Sequence, residues 1–194
     1  GGFTAICCMP NTTPAITESD ELALIQSIAS KKSHCDYGLY VGANDTNYET
    51  LHELAPEACA LKMYLNNTYG PLLLKDTSIW AEHIKHWDYS KPLCVHAEGK
   101  TLGSVLHLAN IYNKPIHVCH VSSKEEIEII RMSKEAGMQV TCEVAPHHLF
   151  MDCEHNNIKD GCTTVKPPLM MTEDRQALWN NLDVIDCFAT DHAP

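Results

Sequence analysis

Residues able to bind a metal ion or transfer a proton stand at the ends of several apolar, strand-like runs. Lys62 follows EACAL, His96 ends PLCVH, His120 ends PIHVCH, Glu143 lies in VTCEV, and Asp191 follows VIDCFAT. Imidazole and carboxylate ligands together suit Zn²⁺ or a similar divalent ion, and each must be deprotonated to bind. A single strand-end histidine is more often a hydrogen-bonded structural residue. Five such residues on successive strands indicate one shared site.

Lys62 is the unusual member of this set. A lysine ammonium has an ordinary pKa of about 10.4 and repels a cation. Burial can lower that pKa, and the neutral amine can then add CO₂ to form a carbamate. The carbamate is an anionic ligand that can bridge two metal ions. The alternative, a lysine whose ammonium reaches solvent, fits less well beside so many potential ligands.

The elements that must position these residues are strands alternating with helices. Runs rich in Val, Ile, Cys and Tyr predict seven strands, at 3–9, 36–43, 58–65, 91–97, 115–121, 138–145 and 184–190. Apolar residues at helical spacing predict helices at 18–32, 77–87, 99–112 and 123–136. Segment 43–58 is expected to hold one short helical turn, and 151–171 to be irregular. This alternation is typical of βα units around a parallel sheet.

Capping residues mark two of the helices. Thr17 with Asp20, and Ser122 with Glu125, have the spacing of capping boxes, and Gly137 stands where a C-terminal cap belongs. The sequence therefore predicts well-defined ends for the first and fourth helices.

Seven strands that are apolar on both faces favour an α/β fold of the (β/α)8 barrel type over a sandwich. Closure of that barrel needs eight strands. We therefore expect residues 1–194 to be a single, incomplete barrel domain, with one strand upstream and at least one helix downstream in a parent protein. Active sites of such barrels are built at the C-terminal ends of the strands, where the residues above stand.

Composition limits the function classes. The formal net charge is −11, the pI is about 5.4, and no basic stripe is present, which argues against a nucleic-acid partner. No apolar run approaches the roughly 18 residues of a membrane span. Most of the ten cysteines lie in strand-like segments, where a free thiol acts as a small hydrophobe, so we expect a reducing, cytoplasmic compartment.

Six motifs together resemble dihydroorotase of the cyclic amidohydrolase superfamily. They are MPNTTP (9–14), LKMYLNNTY (61–69), VHAE (95–98), HVCHVSSKEEIEII (117–130), VTCEVAPHHLF (140–150) and FATDHAP (188–194). HAE and DHAP are weak alone, but the six motifs match in order and spacing throughout the chain. The motifs are most similar to those of the dihydroorotase domain of the multifunctional animal protein of pyrimidine synthesis. That protein also carries glutamine-dependent carbamoyl-phosphate synthetase and aspartate carbamoyltransferase.

The resemblance implies a site with two zinc ions. In it, carbamylated Lys62 bridges the ions, His96 and His120 hold one of them, and Asp191 helps to hold the other and acts as the catalytic acid and base. The reaction implied is the reversible cyclisation of N-carbamoyl-L-aspartate to dihydroorotate. A homo-oligomer is also expected.

Two further residues match positions that bind an additional zinc in the animal enzymes, namely Cys119 and Glu143. Side chains alternate along a strand, so Cys119 and His120 should point to opposite faces unless the strand bends at its end. A packed, non-ligating Cys119 is therefore an equal alternative. His117 shares the parity of Cys119 and is interpreted as structural.

Asn11, Thr68 and Lys166 match substrate-contacting positions of the family. Asn11 could equally form an Asx turn, and the contact at Lys166 is largely main-chain in relatives. His147 and His148 are not ligands in the family and are interpreted as loop or supporting residues.

Two family features have no counterpart, namely the first-strand H-x-H-x-R motif and a substrate-binding histidine after DHAP. We therefore expect the chain alone to be inactive. The alternatives are a hydantoinase or dihydropyrimidinase relative and a non-catalytic barrel.

Overall fold

The structure is a computed structural model that describes residues 2–87, 90–155 and 164–192. The chain divides into two compact units, Gly1–Val95 and His96–Pro194, which are described in turn. In both units strands and helices follow one another as predicted. Within the described residues, no helix combines the length and the apolar character needed to cross a bilayer.

The first unit contains three complete strands and most of a fourth. Its elements are β1 (Ala5–Cys8), α1 (Ser19–Lys32), β2 (Asp36–Gly42), a 3₁₀ turn (Leu51–Leu54), β3 (Ala60–Tyr64), α2 (Thr77–His86) and β4 (Leu93–His96). Strand β2 pairs in parallel with β1 and with β3. The N–H of Leu61 in β3 donates to the carbonyl of Pro92, just before β4, at 3.0 Å. All five residues of β3 are buried, as expected for a strand covered on both faces.

The second unit begins at His96, the last residue of β4. It contains α3 (Lys100–Ile111), β5 (Ile116–Val118), α4 (Lys124–Glu135), β6 (Val140–Val144), α5 (Pro146–Phe150), α6 (Thr172–Asn180) and β7 (Cys187–Phe188). Strand β6 pairs in parallel with β5 and with β7. Its core contains side chains from β6 and from helices α3, α4 and α6, including Val105, Ile127, Ile130, Val144 and Leu178.

The predicted strands and helices are confirmed, although the strands are shorter than predicted. The short turn expected between 43 and 58 is the 3₁₀ turn. Helices α5 and α6 were not predicted. Helix α5 has only five residues, too few for an apolar periodicity, and begins with a proline at its first turn. Of the segment predicted to be irregular, residues 151–155 and 164–171 contain no helix or strand, and 156–163 lie outside the described residues.

Both predicted capping boxes were placed one residue too early. Helix α1 is capped at Glu18, whose N–H donates to the Glu21 carboxylate at 2.8 Å. Helix α4 is capped at Ser123, whose Oγ accepts from the N–H of Glu126 at 3.3 Å. The pairs Ser-Ser and Glu-Glu offer the same spacing in two registers, which the sequence pattern does not separate. Gly137, with a φ of 84°, follows α4 as predicted.

Candidate metal centre

The side chains of His96 and His120 meet in the second unit. Their Nδ1 and Nε2 atoms lie 3.1 Å apart, and the ring centroids are 4.6 Å apart at 72°. Both residues are buried, with 0% and 7% of their surface exposed. The other ring nitrogen of His96, Nε2, lies 2.9 Å from Oε1 of Glu98. Two ligands held by one tetrahedral zinc at about 2.0–2.1 Å are separated by roughly 3.3 Å, so the spacing of this pair fits a shared ion.

Backbone conformation places His120 where it can reach His96. Strand β5 ends at Val118, and His120 has a φ of 40°, in the left-handed region that side-chain-bearing residues rarely adopt. The positive φ of His120 is a bend at the strand end, where the side chains of Cys119 and His120 need not alternate as in a regular strand. Asp191, after β7, has a φ of 47°. Backbone strain of this kind concentrates at functional sites, and the roles of both residues stay predictions.

A buried carboxylate on α4 joins the two loops that follow the histidines. Oε2 of Glu126 accepts from the N–H groups of Ser122 and Ser123 at 3.0 and 3.1 Å. Its Oε1 accepts from the N–H of Gly99 at 3.2 Å, in the loop after His96. Gly99 has a φ of 50°, which favours glycine there. The sequence-based predictions missed Glu126 because the capping box was assigned to Glu125.

Lys62 lies in the first unit, at the centre of β3, and is 1% exposed. Among the described residues, its Nζ has no hydrogen-bond partner, and it lies 5.3 Å from the centre of the Tyr64 ring. A buried amine without a hydrogen bond is costly, so this position is one at which conversion to an anionic, metal-binding carbamate fits the surroundings. The prediction that Lys62 is buried in a strand is confirmed. Its carbamylation and its bridging role stay predictions.

Asp191 is exposed and lies near His147 of α5. Burial lowers the pKa of His147, and the negative charge of Asp191 opposes that effect. The neighbouring ring of His148 is buried, and burial, with a smaller contribution from His147, lowers its pKa to about 4. Nε2 of His148 lies 3.2 Å from the carbonyl oxygen of Pro167. Both histidines therefore lie in a short helix and not in a loop, and their supporting role stays a prediction.

Glu143 and Cys119 lie in the part of the second unit around β7. Glu143 Oε2 is 3.2 Å from Nε2 of His117, and Cys119 is buried. The pKa of the Cys187 thiol is raised, first by burial and then by the nearby Glu143, Asp186 and Cys119. The two predicted ligands of an additional zinc are therefore both close to Cys187, a residue that the sequence patterns did not select.

The residues predicted to contact substrate fall in different parts of the chain. In the first unit, a Cβ at Gly70 would approach Cβ of Asn11 to 3.3 Å, so the 9–14 segment lies against the loop that contains Thr68. Thr68 is half-buried. Lys166, also half-buried, lies in the second unit. The contacts of all three with substrate stay predictions.

Solved structures identify the class of fold. An L-hydantoinase (dihydropyrimidinase) from Arthrobacter aurescens superposes with a TM-score of 0.87 and 21% identity, over 99% of this chain and 51% of that chain. An inactive dihydroorotase-like domain of a CAD-like multifunctional protein from Chaetomium thermophilum gives a TM-score of 0.83 and 28% identity, over 97% of this chain and 53% of that one. The fold is that of an amidohydrolase (β/α)8 barrel, represented here by about seven βα units.

Curated relatives are similar to the whole chain, which spans about half or less of their own length. The chain is 50% identical, over its whole length, to 9% of multifunctional protein CAD from Squalus acanthias. It is 31% identical to dihydroorotase from Pyrococcus furiosus and spans 47% of that protein. No protein-family model matches the chain. The resemblance predicted from the six motifs is confirmed: the chain is similar over its whole length to dihydroorotase and to a segment of multifunctional protein CAD.

Proposed function

We propose that the protein containing this chain is a zinc-dependent dihydroorotase. It interconverts N-carbamoyl-L-aspartate and (S)-dihydroorotate, with loss or gain of water, in the de novo synthesis of UMP. The observation that carries the proposal is the buried pair of imidazoles, His96 and His120, whose facing nitrogens are 3.1 Å apart at the positions that the family motifs assign to zinc ligands.

The residues that would hold the metal are those of the motifs. His96 and His120 would bind one zinc ion, Asp191 the other, and a carbamate on Lys62 both. Such a zinc pair polarises a carboxyl or amide carbonyl and makes a water nucleophile available near neutral pH. The donor set, with two neutral imidazoles and two anionic oxygen groups, is one that suits zinc.

In this proposal Asp191 moves the proton. In the cyclisation direction its carboxylate accepts a proton from the carbamoyl nitrogen as that nitrogen attacks the side-chain carboxyl carbon. The bond from that carbon to one carboxyl oxygen breaks, and the oxygen leaves as water with the transferred proton and one proton from solvent. In the hydrolytic direction the same group returns the proton to the departing ring nitrogen, as microscopic reversibility requires. Asn11, the Thr68 loop and Lys166 would bind and orient the substrate.

The test is turnover of the full-length protein in both directions, compared with its Asp191→Asn variant. General acid–base catalysis contributes about 10²–10⁴-fold, so we expect at least a 100-fold loss of kcat with metal content largely retained. As a matched control, Asp183→Asn alters an exposed carboxylate before β7 that binds Arg131, and should leave kcat within twofold. Unchanged turnover in Asp191→Asn would remove Asp191 from this role.

The same assay separates two alternatives. A hydantoinase or dihydropyrimidinase relative would open hydantoin or dihydrouracil and leave dihydroorotate untouched. A non-catalytic barrel would turn over none of these substrates. The observation that favours the second alternative is the similarity to the Chaetomium thermophilum dihydroorotase-like domain, which is inactive.

The cellular setting is part of the same proposal. We place the protein in the cytoplasm, as a homo-oligomer, with carbamoyl-phosphate synthetase and aspartate carbamoyltransferase on the same polypeptide. The full-length match to a segment of a multifunctional protein supports this fusion. Sequencing the complete transcript and measuring the mass of the native protein would test the fusion and the oligomeric state.

A further inference from the structure

Three neighbouring strands of the second unit each present one metal-binding side chain to the same place. They are His117 of β5, Glu143 of β6 and Cys187 of β7. A nitrogen, an oxygen and a sulfur atom from these three residues all lie within 4.8 Å of one another. None of this depends on the His96 and His120 pair, whose ring nitrogens contact each other and Glu98.

Strand register explains why these three meet. His117 stands opposite Thr141, and Glu143 stands opposite Cys187. Because Thr141 and Glu143 are two residues apart on β6, their side chains leave the same face of that strand. In-register residues of neighbouring strands also point the same way, so all three donors share one face.

We propose that His117, Glu143 and Cys187 form a second metal-binding centre that takes a zinc-like divalent ion. Imidazole, carboxylate and thiolate are the three ligand types that zinc prefers. The 3.2 Å between Nε2 of His117 and Oε2 of Glu143 is close to the roughly 3.3 Å expected for two ligands on one tetrahedral zinc.

Support behind the ligands strengthens the assignment. Nδ1 of His117 lies 2.8 Å from Oγ1 of Thr141. A ligating histidine usually donates its other N–H to such an oxygen, which fixes the ring orientation and leaves Nε2 to bind metal. The nearby carboxylate of Asp186 is already engaged, since it accepts from the N–H of Cys142 at 2.7 Å and from Lys134 at 2.6 Å.

The centre differs from the additional zinc site implied by the family in its thiol. That site would use Cys119 with Glu143, whereas the present geometry groups Cys187 with Glu143 and His117. Cys119 is buried, and Cys187 is exposed. Replacing each thiol in turn therefore distinguishes the two sites.

The experiment uses the metal-free chain, Co²⁺ as a spectroscopic probe and Zn²⁺ as competitor. Wild type should develop a thiolate-to-cobalt charge-transfer band that zinc abolishes. Cys187→Ser should lose the band and bind Zn²⁺ at least about 100-fold more weakly, the upper end of the loss caused by removing a residue that only supports a ligand. Cys119→Ser tests the alternative site and should keep the band. His117→Gln should weaken Zn²⁺ binding similarly but retain the thiolate band.

Circular dichroism of each variant guards against misfolding, and Cys187→Ala replaces a variant that fails that check. Loss of the band in Cys119→Ser, absence of the band in wild type, or normal zinc binding by His117→Gln would overturn the proposal. The proposed function is unaffected by either result, because its test measures turnover and depends on Asp191.

Discussion

Glu126 allows the coupling between the two histidine-bearing loops to be measured. In Glu126→Gln the side chain keeps its shape, but one carboxylate oxygen becomes an NH₂ group. The carbonyl oxygen of the glutamine can still accept from Ser122 and Ser123, which leaves the new NH₂ facing the N–H of Gly99. The substitution therefore breaks the connection to the loop after His96 and weakens the other contacts.

The size of the effect follows from these contacts. A hydrogen bond to a charged group contributes about 1.5–3 kcal/mol, and the Gly99 contact is lost altogether. The remaining bonds change from charge-assisted to neutral, which roughly halves their strength. We expect Glu126→Gln to lower the free energy of unfolding by about 2–4 kcal/mol. This is a large share of the roughly 5–15 kcal/mol that stabilises a typical domain.

The assays are urea denaturation and amide hydrogen exchange. A loss of about 2.8 kcal/mol should speed exchange of the Gly99 amide by roughly 100-fold, since each 1.4 kcal/mol is tenfold in an equilibrium constant. Glu128→Gln removes an exposed carboxylate from the same helix and should stay within about 0.5 kcal/mol of wild type. The reasoning is refuted if Glu126→Gln has the free energy of unfolding of wild type and the exchange rate of the Gly99 amide is unchanged.

Three further predictions concern stability. Lys62→Met should raise the free energy of unfolding of the metal-free chain by about 1–3 kcal/mol, because it removes a buried amine that has no hydrogen-bond partner among the described residues. The same substitution should abolish turnover of the full-length protein. A destabilised chain with normal turnover would contradict this prediction. Ile127→Ala should lower the free energy of unfolding, measured by urea denaturation, by about 2–5 kcal/mol, because Ile127 is fully buried. Met132→Ala, on the exposed side of the same helix, should lower it by no more than about 0.5 kcal/mol. Equal losses would refute the assigned core face. Burial tends to raise the pKa of Asp152, but hydrogen bonds from backbone N–H groups and from Arg175 hold it well below its ordinary value. The stability from Asp152 is therefore present above about pH 3.9, the ordinary value, and is lost as the pH falls below it. In this pH range the free energy of unfolding of Asp152→Asn should fall less steeply with decreasing pH than that of wild type. An identical slope would contradict the role assigned to Asp152.

Strand positions and ligand types were predictable from sequence because both depend on local composition. The apolar runs around Lys62 and before His96 are too hydrophobic to be loops and are bounded by polar residues, which fixes their position to within two or three residues. Helix caps were less predictable. In SSKEE two serines and two glutamates satisfy the same spacing, and the structure uses Ser123 and Glu126.

The donors that sequence reasoning missed are those selected by strand register. Cys187 carries no signal of its own, since free cysteines in strands are ordinarily small hydrophobes. Parity separates His117 from His120 in the sequence, but parity within one strand does not reveal which residues of the next strands stand beside His117. Only the pairings of His117 with Thr141 and of Glu143 with Cys187 bring a third donor to the group.

Strand ends and strand interiors place their histidines differently in the second unit. At the strand end, His120 leaves the β conformation at a φ of 40°, so its side chain no longer follows the alternation of β5 and can reach His96. Within the strands, alternation holds, and His117 is directed to Glu143 instead. The two histidines of a single segment, PIHVCH, thus reach different partners, because the backbone changes conformation between them.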